Sequence, residues 1–242
     1  MMFKYKPPLS PWIDIHYEDD DILIANKQSG LLSVPGRLVE HRDSLWSRLQ
    51  EVYPEIQPIH RLDMDTSGVM LFAKNKAAES ELKKQFQYRL THKVYYARVW
   101  GTPNESKGTI DLPLISDWDN RPRQKVCNNT GKQSLTYFEL LATEELTSVV
   151  RLLPITGRSH QLRVHMQSLG HPIVGDEFYA HSDAYQWASR LELHAAELSF
   201  YHPKTQALIT AFIDSALFSA GEAVIATCFD IPLKRPDYKK AP

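Results

Sequence analysis

The sequence predicts an α+β fold built as a single domain. β-prone runs recur along most of the 242 residues, while only a few short stretches carry helical apolar spacing. Neither an internal repeat nor a low-complexity linker divides the chain, so one mixed domain is the economical architecture. Composition agrees, since 43% hydrophobic with 24% charged residues is ordinary for a chain that buries a core. No apolar run approaches the length of a membrane-spanning helix, and Met1 to Pro11 lacks a signal-peptide core. Cys127 and Cys228 are too few for a disulfide framework or a zinc ligand set, which fits a reducing cytoplasm.

Residues 1–11 hold three prolines and read as a tail on the surface. Ile13 to Tyr17 and Ile22 to Asn26 predict short strands around an acidic turn at Asp19-Asp20-Asp21. Ser44 suits the cap of a helix carrying Leu45, Leu49 and Tyr53, ended by Pro54. Val69 to Ala73 predicts a buried strand. Asn75 then caps a helix with Ala78, Leu82 and Phe86 on its apolar stripe, supported by the Glu79–Lys83 spacing. In the run Lys93 to Gly101, Val94, Tyr96, Arg98 and Trp100 face one side of a strand. Tyr95, Ala97 and Val99 face the other. Gly108 to Leu114 predicts a short strand, and residues 117–125 a polar segment. Gly131 to Ala142 and Ser148 to Ile155 predict two further strands. A helix opens in Arg158 to Met166, with Leu162, Met166 and Leu169 inward and Gly170 just past its end. His171 to Asp176 reads as a loop. Leu191 to Phe200 and Ala207 to Ile213 close the fold as strands, and the basic tail of residues 232–242 is expected to be mobile.

The densest chemistry lies in His60-Arg61-Leu62-Asp63-Met64-Asp65-Thr66-Ser67-Gly68. Thr-Ser-Gly is turn chemistry, and the apolar run after it is a strand, so a polar loop presents carboxylates from a rigid edge. An ordinary surface turn with solvated charges is the plain alternative. An aspartic-protease turn is excluded, because Asp-Thr/Ser-Gly is not contiguous with a second copy elsewhere. Ten histidines offer no metal-binding spacing, and His60, His160 and His165 read as hydrogen-bonded structural groups.

These nine residues resemble the H-R-L-D-x-x-T-S-G signature of the RluA family of pseudouridine synthases, which isomerise uridine in RNA without a cofactor. Asn26 to Gly36 and Arg158 to His165 resemble the same family, and the likeness runs from Trp12 to Asp214. It implies a pseudouridine synthase catalytic domain over residues 12–231, with a mixed, largely antiparallel central sheet flanked by helices and loops. It implies Asp63 as the catalytic residue, Arg163 as its cationic partner and Tyr95 as the ring that packs on a flipped uracil. Arg61 matches the residue that fills the gap left by that nucleotide, although a local ion pair would explain it too. Leu193 and Thr66 are candidate pocket residues, with a plain core strand as the alternative for Leu193. A solvated helix arginine is the alternative for Arg163, and strand-core packing for Tyr95.

Either covalent attack by the carboxylate or proton removal from the sugar would need an ionised Asp63 shielded from water, hence an opposing fixed charge. Within the family, the likeness is to members acting on a large-subunit ribosomal RNA stem-loop and a transfer-RNA anticodon stem-loop. Those two RNAs are the expected partners, with no guide RNA, membrane or obligate protein partner. The net charge of −1 argues against RNA by itself, but basic residues cluster locally. His60, Arg61, Lys83, Lys84, Arg121, Arg123, Lys125 and Arg158 are candidates for RNA contact. The readings that compete are an RNA-binding or RNA-folding module without turnover, and a synthase confined to ribosomal RNA.

Overall fold

One carboxylate sets the first turn of the chain. Asp19 Oδ1 accepts the backbone N–H groups of Asp21 at 2.8 Å and Ile22 at 2.9 Å. That turn joins β1 (Ile15–Glu18) to β2 (Ile22–Lys27), as the acidic stretch predicted. The protein is described here by a computed structural model covering residues 5–215. These residues group into two compact units, 5–92 with 195–214, and 93–194 with 215.

In the first unit, Ser44 caps α1 (Leu45–Gln50) through a reciprocal box with Ser47. The helix stops before Tyr53, short of the expected end, because the residue before Pro54 is pushed out of helical geometry. A two-residue strand β3 (Gln57–Pro58) and the buried β4 (Ser67–Ala73) follow. Asn75 Oδ1 accepts the Ala78 N–H at 2.9 Å and starts α2 (Lys76–Gln87). The stripe of this helix packs Ala78 and Leu82 against β4, with Phe86 at the margin of the cluster. Gln85, unforeseen from periodicity, is fully buried on the same helix. Its amide spans both backbone groups of Tyr201, at 2.8 and 2.9 Å.

The second unit holds β5 (His92–Trp100), β6 (Lys107–Asp111), β7 (Leu114–Ser116), β8 (Gln124–Val126), β9 (Leu135–Thr143) and β10 (Thr147–Pro154). Then come α3 (Gln161–Ser168) and the short α4 (Ser182–Gln186). Its strands run in the order β5-β10-β9-β6, each pair antiparallel. The segment 117–125, expected only as polar, forms the tip of the β7–β8 hairpin over residues 117–123 and opens β8 at Gln124 and Lys125. Ala97, Val99, Val150, Leu152, Leu162 and Met166 form the core. The chain then returns to the first unit as β11 (Leu193–Tyr201) and β12 (Leu208–Phe212), giving the order β1-β2-β4-β11-β12 there.

The α+β expectation is met, with three local corrections. Tyr5 is buried, and its hydroxyl donates to the Asp43 carbonyl, so the proline-rich start is partly docked. Helix α3 begins at Gln161, not Arg158, because His160 sits at φ 52° and breaks the helical run. Leu169 is 38% exposed where an inward residue was expected, since it is the helix's last cap position before Gly170 turns the chain away. Cys127 is a free cysteine. Cys228 and the basic tail 232–242 lie outside the described residues.

Buried His165 couples the stability of the second core to pH. Its Nε2 donates to the Leu112 carbonyl at 3.1 Å, and Nδ1 pairs with the Thr136 hydroxyl at 2.9 Å. Burial holds its pKa below the ordinary histidine value, so the folded state binds fewer protons than the unfolded one. This contribution is full above the unfolded pKa of about 6.5 and is lost as pH falls through the lower folded value. Thermal melting between pH 7 and 4 is expected to show a falling midpoint that His165→Gln flattens. Equal acid slopes in the two proteins would remove His165 from the account.

Candidate active site

The loop carrying Asp63 is held by the segment just before it in sequence. Lys27, at the end of β2, is 0% exposed. Its ammonium donates to the carbonyls of Gln28 at 2.8 Å, Leu31 at 2.6 Å and Met64 at 2.7 Å. An ammonium has three donors, and three carbonyls here receive them. The Gly30 N–H reaches the same Met64 carbonyl at 3.0 Å, and the Ser29 hydroxyl donates to the Asp65 carbonyl at 2.7 Å. Ser33 both donates to the Leu62 carbonyl at 2.6 Å and accepts the Leu62 N–H at 3.0 Å. Residues 27–33 thus grip Leu62, Met64 and Asp65, the residues on either side of Asp63.

The far side of the loop is equally constrained. The Thr66 N–H donates to the Asp63 carbonyl at 3.2 Å. Gly68 adopts φ +113°, and a Cβ there would lie 2.1 Å from the Ala195 carbonyl oxygen. Only glycine lets β4 run this close to β11. His60 accepts the Leu71 N–H at Nε2 and stacks on Phe86 at 5.0 Å, so its ring is engaged in structure. Asp63 emerges half-buried, Thr66 is buried and Arg61 is exposed.

In the second unit, Arg163 on α3 is 3% exposed, which excludes the solvated-helix alternative. Its Nε and Nη2 form a fork with the two oxygens of Asp176, each at 2.7 Å. Asp176 is 0% exposed and also accepts the N–H groups of Phe178 at 2.9 Å and Tyr179 at 3.1 Å. The rings of Phe178 and Tyr179 stand 5.2 Å from the guanidinium carbon. Sequence reading passed over Asp176 as part of a loop. The available signal was the preceding Gly175, whose φ of +71° and contact with the Arg190 carbonyl leave no room for a Cβ.

Tyr95 and Leu193 share the second unit's core cluster, with Tyr95 half-buried at its margin. The other predicted contact residues divide by accessibility. Arg121, Arg123, Lys125 and Arg158 are exposed, although Lys125 is paired with Asp117 at 2.9 Å. Lys83 is exposed but tied to Glu79 at 2.6 Å, and Lys84 is exposed beside it. Donor atoms of Asp19, Asp21 and His202 lie within 4.8 Å of one another. His202 Nδ1 accepts the N–H groups of Lys204 and Thr205, so Nε2 carries the proton donated to Asp19. That trio is a hydrogen-bonded brace for the turn at Asp19, not a set of open ligands.

Residues 21–168 match the model of the RNA pseudouridylate synthase family. The chain belongs to that family. It is 63% identical over 246 residues to the dual-specificity RNA pseudouridine synthase RluA of Vibrio vulnificus, covering all of this chain and 98% of that protein. The protein of the same name from Escherichia coli K12 is 57% identical over 203 residues, covering 84% of this chain and 93% of its own length. Among solved structures, human RNA pseudouridylate synthase domain containing 1 superposes with a TM-score of 0.71 at 31% identity, covering 84% and 83% of the two chains. The human domain-containing-4 protein, at 24% identity and a TM-score of 0.69, shares the fold. For a pseudouridine synthase, the clamped loop and the forked arginine are the two charged features that the sequence signatures pointed to.

Two expectations follow from this geometry. Lys27→Met strips the donor from three carbonyls and should lower stability by about 3 kcal/mol, with isomerase turnover falling per folded molecule. Urea melts combined with single-turnover assays measure both, and an unaltered melt would show that the ammonium does not hold the loop. Asp176→Asn breaks a buried fork and should cost about 3 kcal/mol while lowering kcat more than it raises KM. A variant changed only in KM would refute a role for Asp176 in setting Arg163.

Proposed function

We propose that this protein converts uridine to pseudouridine in RNA, with Asp63 as the reacting carboxylate. The observation that carries this reading is the clamped loop. It fixes the backbone on both sides of a half-buried aspartate, in a chain 63% identical to a dual-specificity RNA pseudouridine synthase. Isomerisation breaks the C–N bond to the sugar, turns the base, and forms a C–C bond to the same sugar. It is redox-neutral and calls for no cofactor. A carboxylate held at one position serves either route, attack on the sugar carbon or proton removal from the sugar.

Arg163 is assigned as the cationic partner of Asp63. Its support is a guanidinium already oriented by Asp176, so little rearrangement is required of it during reaction. Tyr95 supplies the ring against a flipped uracil, with Leu193 and Thr66 as apolar and hydroxyl parts of the pocket. Arg61, exposed beside the loop, takes the place of the extruded nucleotide. Phosphate contacts fall to Arg121, Arg123, Lys125, Arg158, Lys83 and Lys84. The substrates are a stem-loop of large-subunit ribosomal RNA and the anticodon stem-loop of transfer RNA, met in the cytoplasm without a guide RNA. A protein of this size serves both by reading a short loop and the shape into which it folds.

Asp63→Asn is expected to reduce product formation at least about 10³-fold with RNA affinity retained, while Asp65→Asn keeps substantial turnover. Mapping pseudouridine after deletion of the gene should show loss in both RNA classes, restored by wild type and not by Asp63→Asn. Loss in ribosomal RNA alone would reject dual specificity. A fast Asp63→Asn enzyme would overturn the assignment of the carboxylate.

A further inference from the structure

The tip of the β7–β8 hairpin carries a feature that the reaction as described does not use. Trp118 is 66% exposed, an unusual state for the largest apolar side chain. The guanidinium of Arg121 lies over its ring, 3.7 Å from the centroid, and orders the indole from one face. The hairpin holds this pair rigidly. Asp117 accepts from the Asn120 amide at 2.8 Å and from Lys125 at 2.9 Å, and its own N–H reaches the Arg123 carbonyl at 2.9 Å. The Gln124 N–H donates to the Tyr179 hydroxyl at 2.7 Å, tying the hairpin to the segment that contains Phe178 and Asp176. Trp118 is therefore exposed by construction, not through looseness of the loop.

Charge and shape around it define the kind of partner it fits. Arg121 and Arg123 are exposed, and among the described residues neither has a carboxylate within ion-pair distance. Beside Arg123 opens a cleft of about 310 Å³ whose lining includes Gln124, Lys125, Phe178, Tyr179 and Asp117, the last already paired with Lys125. An indole with one face covered by a cation leaves its other face for a flat π-system, and the two guanidinium groups suit flanking phosphates.

We propose that Trp118 is a stacking platform for one unpaired base of the RNA substrate, with Arg121 behind the indole and Arg123 on the adjacent backbone. This rests on the reading of RNA as substrate and adds to it a base contact distinct from that of the reacting uridine. Such a platform gives affinity without choosing a base by hydrogen bonding, which suits recognition of loops with different sequences.

The test uses the full chain carrying Asp63→Asn, so that binding is read without turnover, and a uridine-containing RNA hairpin as probe. Trp118→Ala should weaken binding about ten-fold and Trp118→Phe much less, both with wild-type thermal melts. The dependence of log Kd on log salt should keep its slope in Trp118→Ala, while Arg123→Ala should reduce the slope by about one. Replacing loop nucleotides one at a time by abasic residues should find one position whose loss weakens the parent protein. That loss should leave Trp118→Ala indifferent, the non-additivity expected of a contacting pair. Tight parental binding with unchanged affinity in Trp118→Ala overturns the platform and leaves the RNA reading standing. Equal effects of every abasic position in both proteins also overturn it. Failure of the parent protein to bind the hairpin at all overturns the platform and the RNA reading together.

Discussion

A single buried ammonium underlies the geometry of the reactive loop. Removing a charge from water costs several kcal/mol, and the cost is offset only when every donor finds an acceptor. Lys27 meets that condition with the carbonyls of Gln28, Leu31 and Met64. Two of these lie in the segment just after its own strand and one in the loop of Asp63, so satisfying the charge fixes one segment against the other. Ser29, Gly30 and Ser33 repeat the coupling with neutral hydrogen bonds. Residues far too flexible to hold a carboxylate by themselves become a rigid mount.

The second unit solves a similar problem with opposite sign. Arg163 would be costly to bury alone, and Asp176 compensates it through a two-point fork. Asp176 is in turn anchored by the Phe178 and Tyr179 N–H groups, so a loop after a glycine turn sets the direction of a helix side chain. In each case a group suited to chemistry is held by a more deeply buried group. Preorganisation of this kind lowers the reorganisation needed when charge develops during a reaction.

Overall charge is a poor guide to what such a protein binds. A net charge of −1 is unpromising for an RNA enzyme, yet Arg121, Arg123 and Lys125 gather within a few residues of Trp118, offset only in part by Asp117 and Asp119. Screening in salt confines the influence of distant carboxylates to about 10 Å, so local arrangement outweighs the total. Several basic residues that looked equivalent in sequence differ in this respect. Lys83 and Lys125 are already paired with Glu79 and Asp117.

The sequence by itself determined the elements whose signals are local. Turn formation at Asp19, capping at Ser44 and Asn75, the buried run of β4 and the end of α3 at Gly170 each depend on residues within a turn of one another. The nine-residue stretch around Asp63 was likewise legible as a family signature, because a motif is contiguous. What only the tertiary structure decided were pairings across long separations. Lys27 meets Met64, Gln85 meets Tyr201, and Arg163 meets Asp176. Periodicity saw Gln85 as a polar residue on a helix, and Asp176 as one more acid in a loop. Burial and hydrogen bonding depend on which atoms face each other after folding, and that information is spread over the whole chain. Leu169 errs in the other direction, apolar by type yet exposed, because the turn at the helix end carries it away from the core. A contiguous motif therefore pointed to Asp63 through its likeness to a family signature, and long-range packing supplied the partners that hold its loop in place.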